Sequence, residues 1–304
     1  PATAPFTTIA CNPLVNPIAN GDWADSDEET AWSGKLSLAY QISPDHMVYV
    51  GYAHGYKAGG FNVDRSGFAI TPALVDPSQV STRQLYFAPE YTDNFEIGLR
   101  SRLFDAATLN ITAFHQKISD YQLNAFNGFN FITRNIPDAV SQGVEIELAA
   151  RLADALTLAA GLTYHDAFYD STVVFNPLNP GPNTVRAGDR FAFAPEWVAT
   201  GAISYEQPLG GTLMARFHFD GRWDSPYRTQ TLNRDPRSDN KSYAIFNGRI
   251  GLGPSDHSWS FEVWGRNLTD EFYYVGAINP PLQDALVAYP NDPRTYGVSL
   301  RARY

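Results

Sequence analysis

The chain has 304 residues, a formal net charge of −10 at pH 7, a pI near 5.0 and 18% charged residues. Phosphates of nucleic acids attract basic patches, and no basic run occurs here, so the sequence argues against a nucleic-acid partner. No segment approaches the roughly 18 apolar residues of a membrane-spanning helix, which excludes helical spans. The six histidines have no metal-ligand spacing, and no nucleophile motif is recognisable. Neither a catalytic residue nor a metal site is therefore predicted.

Apolar and polar residues alternate through most of the chain, which is typical of β-strands with two different faces. In chain order, the predicted strands are 32–42, 46–57, 91–103, 108–124, 130–152, 156–169, 196–207, 212–224, 243–253, 258–266 and 294–304. Most are near or above the roughly 9–11 residues that a tilted strand needs to cross a bilayer, whereas ordinary strands have about 5–6 residues. The pattern predicts an all-β fold, an antiparallel transmembrane β-barrel with about eleven strands in this chain.

Connections between these strands alternate between short and long. The short ones are 43–45, 105–107, 153–155, 208–211 and 254–257, and the long ones are 58–90, 125–129, 170–195, 225–242 and 267–293. The connection 125–129 is long only if the strands on either side of it are shorter than the ranges given above. Outer-membrane barrels have short periplasmic turns and long external loops, so we expect the chain to end in the periplasm. Interfacial aromatic residues should form two belts on the apolar face. The outer belt is Trp32, Tyr91, Tyr164, Trp197 and Trp223, and the inner belt is Tyr40, Tyr205, Trp259 and Tyr304.

Polar faces of the predicted strands carry charged rows that would line a wet lumen. The lumen-lining residues are Arg216, His218, Asp220, Arg222 and Asp224 on one strand, and Glu145 and Glu147 on another. On the first strand, Phe217, Phe219 and Trp223 form the opposite, apolar face. The charges could contact a ligand or an internal domain, or they could pair with each other and keep the wall hydrated.

Short motifs in a fixed order carry a family resemblance. They are 32–38 (WSGKLSL), 57–62 (KAGGFN), 95–100 (FEIGLR), 142–147 (QGVEIE), 265–273 (GRNLTDEFY) and 296–300 (YGVSL). Each motif is weak alone, but their order and spacing over 32–304 resemble those of TonB-dependent outer-membrane receptors. The resemblance implies a barrel of about 22 strands around an N-terminal plug, with 32–304 as its C-terminal half, strands 12–22. Residues 1–31 would then be the end of an extracellular loop with a solvated acidic stretch at 22–29.

An odd number of strands also indicates that part of the wall is missing, because single-chain bacterial barrels have even numbers. The first predicted strand runs inward, so an outward partner should precede it. Residues from Pro1 onward lack the basic flank and apolar core of a signal peptide. We therefore expect the first half of the barrel, the plug and the energy-coupling box to lie upstream.

The resemblance implies active uptake of a scarce ligand through the outer membrane of a Gram-negative bacterium, energised by the inner-membrane TonB complex. Iron–siderophore complexes come first, before cobalamin, heme, saccharides and plant aromatics. No cofactor is expected, since iron would travel on the substrate. We predict ligand contacts at the extracellular mouth, at Tyr56, Lys57, Phe61 and Arg65.

Gly297, Leu300 and the terminal Tyr304 resemble the signal that the barrel-assembly machinery reads. Outer-membrane lipid would be the remaining partner. Three other classes stay open: a passive porin-like channel, an outer-membrane hydrolase using His218 and Asp220 with a serine from another strand, and a soluble all-β binding protein such as a lectin. Cys11, the single cysteine, lies in a Pro/Asn-rich stretch that predicts an exposed loop.

Overall fold

The structure is a computed structural model that describes residues 24–63, 81–126, 131–175, 180–280 and 284–303. Its strands are β1 (Gly34–Ser43), β2 (His46–Lys57), β3 (Gly60–Phe61), β4 (Tyr86–Phe87), β5 (Glu90–Leu103), β6 (Ala107–Phe126), β7 (Phe131–Ala153), β8 (Leu156–Tyr169), β9 (Val173–Val174), β10 (Thr184–Val185), β11 (Trp197–Gly210), β12 (Leu213–Asp224), β13 (Tyr243–Pro254), β14 (Trp259–Arg266), β15 (Tyr274–Ile278), β16 (Val287–Pro290) and β17 (Thr295–Ala302). Single 3-10 turns lie at Thr82–Gln84 and Pro236–Ser238. Within these ranges, no helix combines the length and the apolar character that crossing a bilayer requires.

One antiparallel sheet of eleven strands contains all the predicted strands, so the all-β prediction is confirmed. Its order is β1-β2-β5-β6-β7-β8-β11-β12-β13-β14-β17, in which each strand pairs with the next long strand of the chain. Strand ends differ from the predicted ends by at most three residues. The sheet is not closed: in the described part of the chain, β1 pairs only with β2, and β17 only with β14.

The two faces of the sheet differ because the register keeps apolar residues beside apolar residues. Leu38 lies opposite Val50, and Val50 lies opposite Ile97. Among the described residues, no protein layer covers the apolar face, so that Leu36 is 75% exposed and Leu300 is 76% exposed. Leaving such surface in water costs about 25 cal/mol per Å², whereas lipid tails accept it. This face is therefore the lipid side of a membrane-spanning sheet.

Short and long connections lie at opposite ends of the sheet, as predicted, with one correction: the connection between β6 and β7 is not long. Only positions 127–130 separate Phe126 from Phe131, because both strands continue beyond the length that a bilayer requires. The turn between β11 and β12 uses Gly211 at φ 57°, a left-handed conformation that glycine adopts without strain. Three long connections contain small hairpins that the sequence did not predict: β3 with β4, β9 with β10, and β15 with β16. Alternation cannot reveal such elements, because strands of two residues, as in β3, β4, β9 and β10, contain no repeat.

The buried core of the protein lies at the long-connection end. We call the described parts of the long connections, with the adjoining ends of β6 and β7, the loop layer. β6 and β7 have 20 and 23 residues, which exceeds the length needed to cross a bilayer. The buried cluster consists of Ile118, Leu123, Ala125, Ile132, Ile136, Ala139, Tyr169, Phe175, Val185 and Leu232.

The β6–β7 hairpin is held between two long connections. On one face, Gln122 Nε2 donates to the Ala58 carbonyl at 2.8 Å, and Asn135 Oδ1 accepts from the Ala88 amide at 2.7 Å. On the other face, Ile136 is 0% exposed within the buried cluster. Both faces are therefore covered where the hairpin continues beyond the span of the membrane.

The described part of the acidic stretch at 22–29 is exposed, as expected, and two of its carboxylates also accept hydrogen bonds. Thr82 Oγ1 donates to Asp25 Oδ2 at 2.6 Å, and the Gly59 amide donates to Glu29 Oε1 at 2.9 Å. The hydrogen bond from Thr82 lowers the pKa of the Asp25 carboxyl below its usual range. These carboxylates attach the segment to the connection between β2 and β5.

Candidate functional site

The polar face of β12 carries the charged row that the sequence predicted. Arg222 donates to Asp224 through Nε and Nη2, both at 2.9 Å, and Asp224 is only 1% exposed. His218 Nε2 lies 3.4 Å from Asp220 Oδ1, and Asn247 Nδ2 donates to Asp220 Oδ2 at 2.8 Å. Both carboxylates in the row therefore have partners, as the interpretation of mutually paired wall charges requires.

The remaining predicted lumen-lining residues lie on the same polar face. Arg216 Nε is 3.7 Å from Glu206 Oε1 on the neighbouring strand, β11. Glu147 Oε2 accepts from Asn110 Nδ2 at 3.4 Å. Glu145 lies two residues from Glu147 and therefore on the same face of β7.

Two concavities follow this polar wall. One has a volume of about 880 Å³ and is bordered by Glu147, Asp220 and Arg222. The other has a volume of about 360 Å³ and is bordered by Arg249 and Arg266 among others. Both are lined by charged side chains, so the wall fits a polar partner with charges of its own.

Ser204 approaches His218, which bears on the hydrolase alternative. Ser204 Oγ is 2.8 Å from His218 Nδ1, and Asp220 lies on the other side of the ring. Equivalent contacts join Ser141 to His165 at 2.9 Å and Ser101 to His46 at 3.1 Å, so this is a recurring cross-strand pair. Backbone amides around Ser204 lie within paired strands, which leaves them unsuited to an oxyanion hole. In the described ranges, no group of three or more His, Cys, Asp or Glu could hold a metal ion.

The predicted mouth residues do not form one cluster. Tyr56 lies opposite Tyr91 with ring centroids 6.5 Å apart, and it shares the lipid-side face with Val50. Lys57 is exposed at the end of β2, and no hydrogen bond or ring contact joins it to Tyr56 or Phe61 among the described residues. Phe61 packs against Tyr86 at 5.5 Å in the β3–β4 hairpin. Arg65 lies outside the described residues, as does Cys11.

Two of the predicted assembly residues lie on the edge strand β17. A Cβ atom on Gly297 would come within 2.1 Å of Trp264 Cζ2, so a larger residue at this position would force the Trp264 ring to move. Leu300 is on the lipid-side face, and Tyr304 lies outside the described residues. Whether the assembly machinery reads these residues stays a prediction.

The loop layer contains a pocket that sequence analysis missed. Its volume is about 370 Å³, and its lining includes Tyr121, Phe131, Phe191 and Tyr289. These residues come from β6, β7, the connection after β8 and the β15–β16 hairpin, which are far apart in the chain. One feature of the sequence indicated a folded layer outside the membrane. The predicted strands at 108–124 and 130–152 are longer than a bilayer requires, so their outer ends must contact other parts of the protein.

Comparisons with known proteins place this geometry in a family. The family model described as TonB dependent receptor-like, beta-barrel matches residues 15–268. The Pesticin receptor of Yersinia pestis is 26% identical over 95% of this chain and 38% of its own length. The Ferric-pyoverdine M114 receptor PbuA of Pseudomonas sp. (strain M114) is 27% identical over 71% of this chain and 25% of its own length.

A solved structure shows the same fold. The ferric yersiniabactin uptake receptor FyuA from Yersinia pestis matches with a TM-score of 0.65 at 22% identity, over 88% of this chain and 36% of that one. The chain thus spans much less than half the length of these relatives. They are named as receptors rather than as enzymes. The chain belongs to the family of TonB-dependent receptors, β-barrel proteins of the Gram-negative outer membrane.

Proposed function

We propose that this chain forms the C-terminal half of the wall of a receptor that takes up a scarce ligand, with energy from the inner-membrane TonB complex. An iron–siderophore complex is the ligand that we favour. The folded loop layer is the observation that carries the proposal. The long connections pack around a buried core and a pocket, and an ordered external layer of this kind supports a receptor that binds a ligand more than it supports a simple pore. Relatives named for ferric yersiniabactin and ferric pyoverdine point to the ligand class.

Several partners follow from this proposal. The charged polar wall would face a plug domain contributed by the preceding part of the receptor, and β1 and β17 would pair with the strands of the missing half. Edge strands of a sheet that lies in the membrane need partner strands, because lipid cannot form hydrogen bonds with their unpaired backbone groups. Gly297, Leu300 and Tyr304 would serve the barrel-assembly machinery. The receptor would carry no cofactor of its own, since iron is part of the cargo.

Uptake measurements test the proposal. The gene that encodes this chain is deleted in its host, and the uptake of radiolabelled ferric complexes, cobalamin and heme is measured under iron limitation. We expect loss of uptake of one ferric complex, restoration by the intact gene, and the same loss when the TonB gene is deleted. Uptake that continues without TonB would instead identify a passive channel, and unchanged uptake of every ligand would reject the transport function.

A further inference from the structure

The lipid-side face of the sheet contains a furrow between β12 and β17. In one row across the strands, Phe219 lies opposite Gly248, and Gly248 lies opposite Gly265. Tyr296 follows on the far side, opposite Gly265. Two neighbouring strands therefore lack a side chain where the strands beside them carry aromatic rings. We call the resulting space, which has a volume of about 470 Å³, the first furrow.

Aliphatic side chains complete the floor of the first furrow. A Cβ atom on Gly248 would lie 3.6 Å from Leu268 Cδ1, and one on Gly265 would lie 2.6 Å from Leu268 Cδ2, so Leu268 lies over both glycines at the outer end. Farther from the loop layer, the floor continues over Ile250 and Val263, which are 56% and 49% exposed. The floor is thus apolar throughout and open towards the lipid.

A second furrow lies beside the first. Gly201 lies opposite Gly221 at its floor, and its volume is about 410 Å³. A Cβ atom on Gly201 would meet no atom within 4 Å apart from its chain neighbours, so the space above this glycine is open. Ile203 and Phe219 border both furrows. Two apolar furrows therefore lie side by side with these side chains between them.

Both furrows lie in the outer half of the membrane. Trp223 marks the outer end of β12 and borders the second furrow, and Phe217, in the deepest row of the first furrow, lies six residues away. With a rise of about 3.3 Å per residue and a tilt of about 45°, this separation is about 14 Å, half of a roughly 30 Å hydrocarbon core. The furrows thus reach through one leaflet, the one next to the long connections.

The charged residues beside the furrows belong to the polar face or are paired. His218, Arg222 and Arg249 border the furrows, but they alternate with the lipid-side residues and also border the concavities of the polar wall. At the outer end, Arg294 Nη2 lies 3.9 Å from Asp270 Oδ2. The furrows therefore offer apolar surface, with a paired charge at the level of the lipid headgroups.

Packing determines what fills such a space in a membrane, because lipid tails are as apolar as the side chains around them. An unfilled space beside apolar side chains forfeits dispersion contacts. An acyl chain that lies along a furrow contacts its floor and both walls, whereas a chain on the flat part of the face contacts the protein on one side. The furrow therefore holds a chain more strongly than the rest of the lipid-side face does.

We propose that the two furrows bind acyl chains of a lipid from the outer leaflet, and that this lipid stays bound when the surrounding lipid is removed. The occupant is a membrane lipid because the furrows are continuous with the lipid-side face and reach through one leaflet. The site is separate from the lumen and from the loop layer, so it does not depend on which ligand the receptor transports.

Photo-crosslinking locates the retained lipid. The complete receptor that carries this chain is reconstituted in vesicles of phosphatidylethanolamine and a phosphatidylcholine with a diazirine in each acyl chain. It is then extracted, washed in detergent until its phosphorus content is constant, and irradiated, and labelled peptides are identified by mass spectrometry. Ile250 and Ile97 form a matched pair, since they are 56% and 59% exposed on the lipid-side face but only Ile250 lines a furrow. We expect at least about fivefold more label on Ile250, which corresponds to a binding difference of about 1 kcal/mol.

Variants that fill the furrows test their role. Gly248→Leu should lower the label on Ile250 at least about threefold, because the new side chain takes the space of the acyl chain. Gly201→Leu should lower the phospholipid retained per receptor. Cβ atoms at both positions meet no atom closer than 3.6 Å, so both variants should fold, which heat-modifiable gel mobility verifies. Ala113→Leu is the matched control, since Ala113 lies opposite Ile97 on the lipid-side face outside the furrows.

Three results would overturn the inference. The first is equal label on Ile250 and Ile97 after washing, or no retained label. The second is folded furrow variants that retain as much lipid as the Ala113→Leu control. The third is a washed receptor with the mass of two copies that Gly248→Leu converts to one copy, because a second receptor would then occupy the furrow. Uptake of the transported ligand is measured separately, and its presence or absence leaves these outcomes unchanged.

Discussion

Replacing Ile97 by arginine should destabilise the wall, because Ile97 lies on the lipid-side face near the middle of the membrane. It is 59% exposed and lies six residues from Tyr91, which marks the outer end of β5. With a rise of about 3.3 Å per residue and a tilt of about 45°, Ile97 lies about 14 Å below Tyr91, half of a roughly 25–30 Å apolar thickness. Arginine at this depth lowers the free energy of unfolding by about 2–4 kcal/mol, or roughly thirty- to a thousandfold in the folding equilibrium.

Ala202→Arg is the matched control. Ala202 lies on the polar face opposite Asp220 and borders the concavity of about 880 Å³, so arginine there has both space and a partner. We expect a change of less than about 1 kcal/mol. Urea titration of the complete receptor in phospholipid vesicles, followed by heat-modifiable gel mobility, measures both variants. If Ile97→Arg were no less stable than Ala202→Arg, the assignment of the two faces would be refuted.

Three further predictions concern the loop layer and the C-terminus. Ile136→Ala removes a side chain that is 0% exposed and should lower the stability of the loop layer by about 2–5 kcal/mol, seen as faster limited proteolysis, whereas Val63→Ala at a 97% exposed position should change nothing. Hydrogen bonds from Arg237 lower the pKa of the Asp235 carboxyl below its usual range. The stabilisation by the Asp235 carboxylate is therefore present at neutral pH and is lost as the pH falls through the lowered pKa. In acid, the backbone amides of 225–242 should lose less protection from hydrogen exchange in Asp235→Asn than in the wild type, and equal losses would contradict this. Deleting Tyr304 should reduce insertion into the outer membrane, and unchanged insertion in a membrane fractionation would reject its role as an assembly signal.

The membrane-spanning part of the candidate site could be predicted from the sequence, whereas the part in the loop layer could not. Alternation placed Arg222 and Asp224 on one face because they lie two residues apart on one strand. The structure adds the bidentate contact between them. Asn247, which donates to Asp220, comes from the next strand and could not be assigned without the register. Tyr56 was predicted as a ligand contact, although the sequence pattern argued against this. It lies an even number of residues from Val50, and that spacing indicates the lipid-side face rather than the interior.

The strands, their order, the two faces and the alternation of short and long connections were determined by the sequence alone. Each depends on a repeat of two residues within one strand or on the length of one connection, and such signals are local. The loop layer and its pocket were decided only by the tertiary structure. Their contacts join distant residues, such as Asn233 and Phe126, which are 107 residues apart. No local pattern encodes such a contact, because it forms only when the sheet has brought the ends of its strands together.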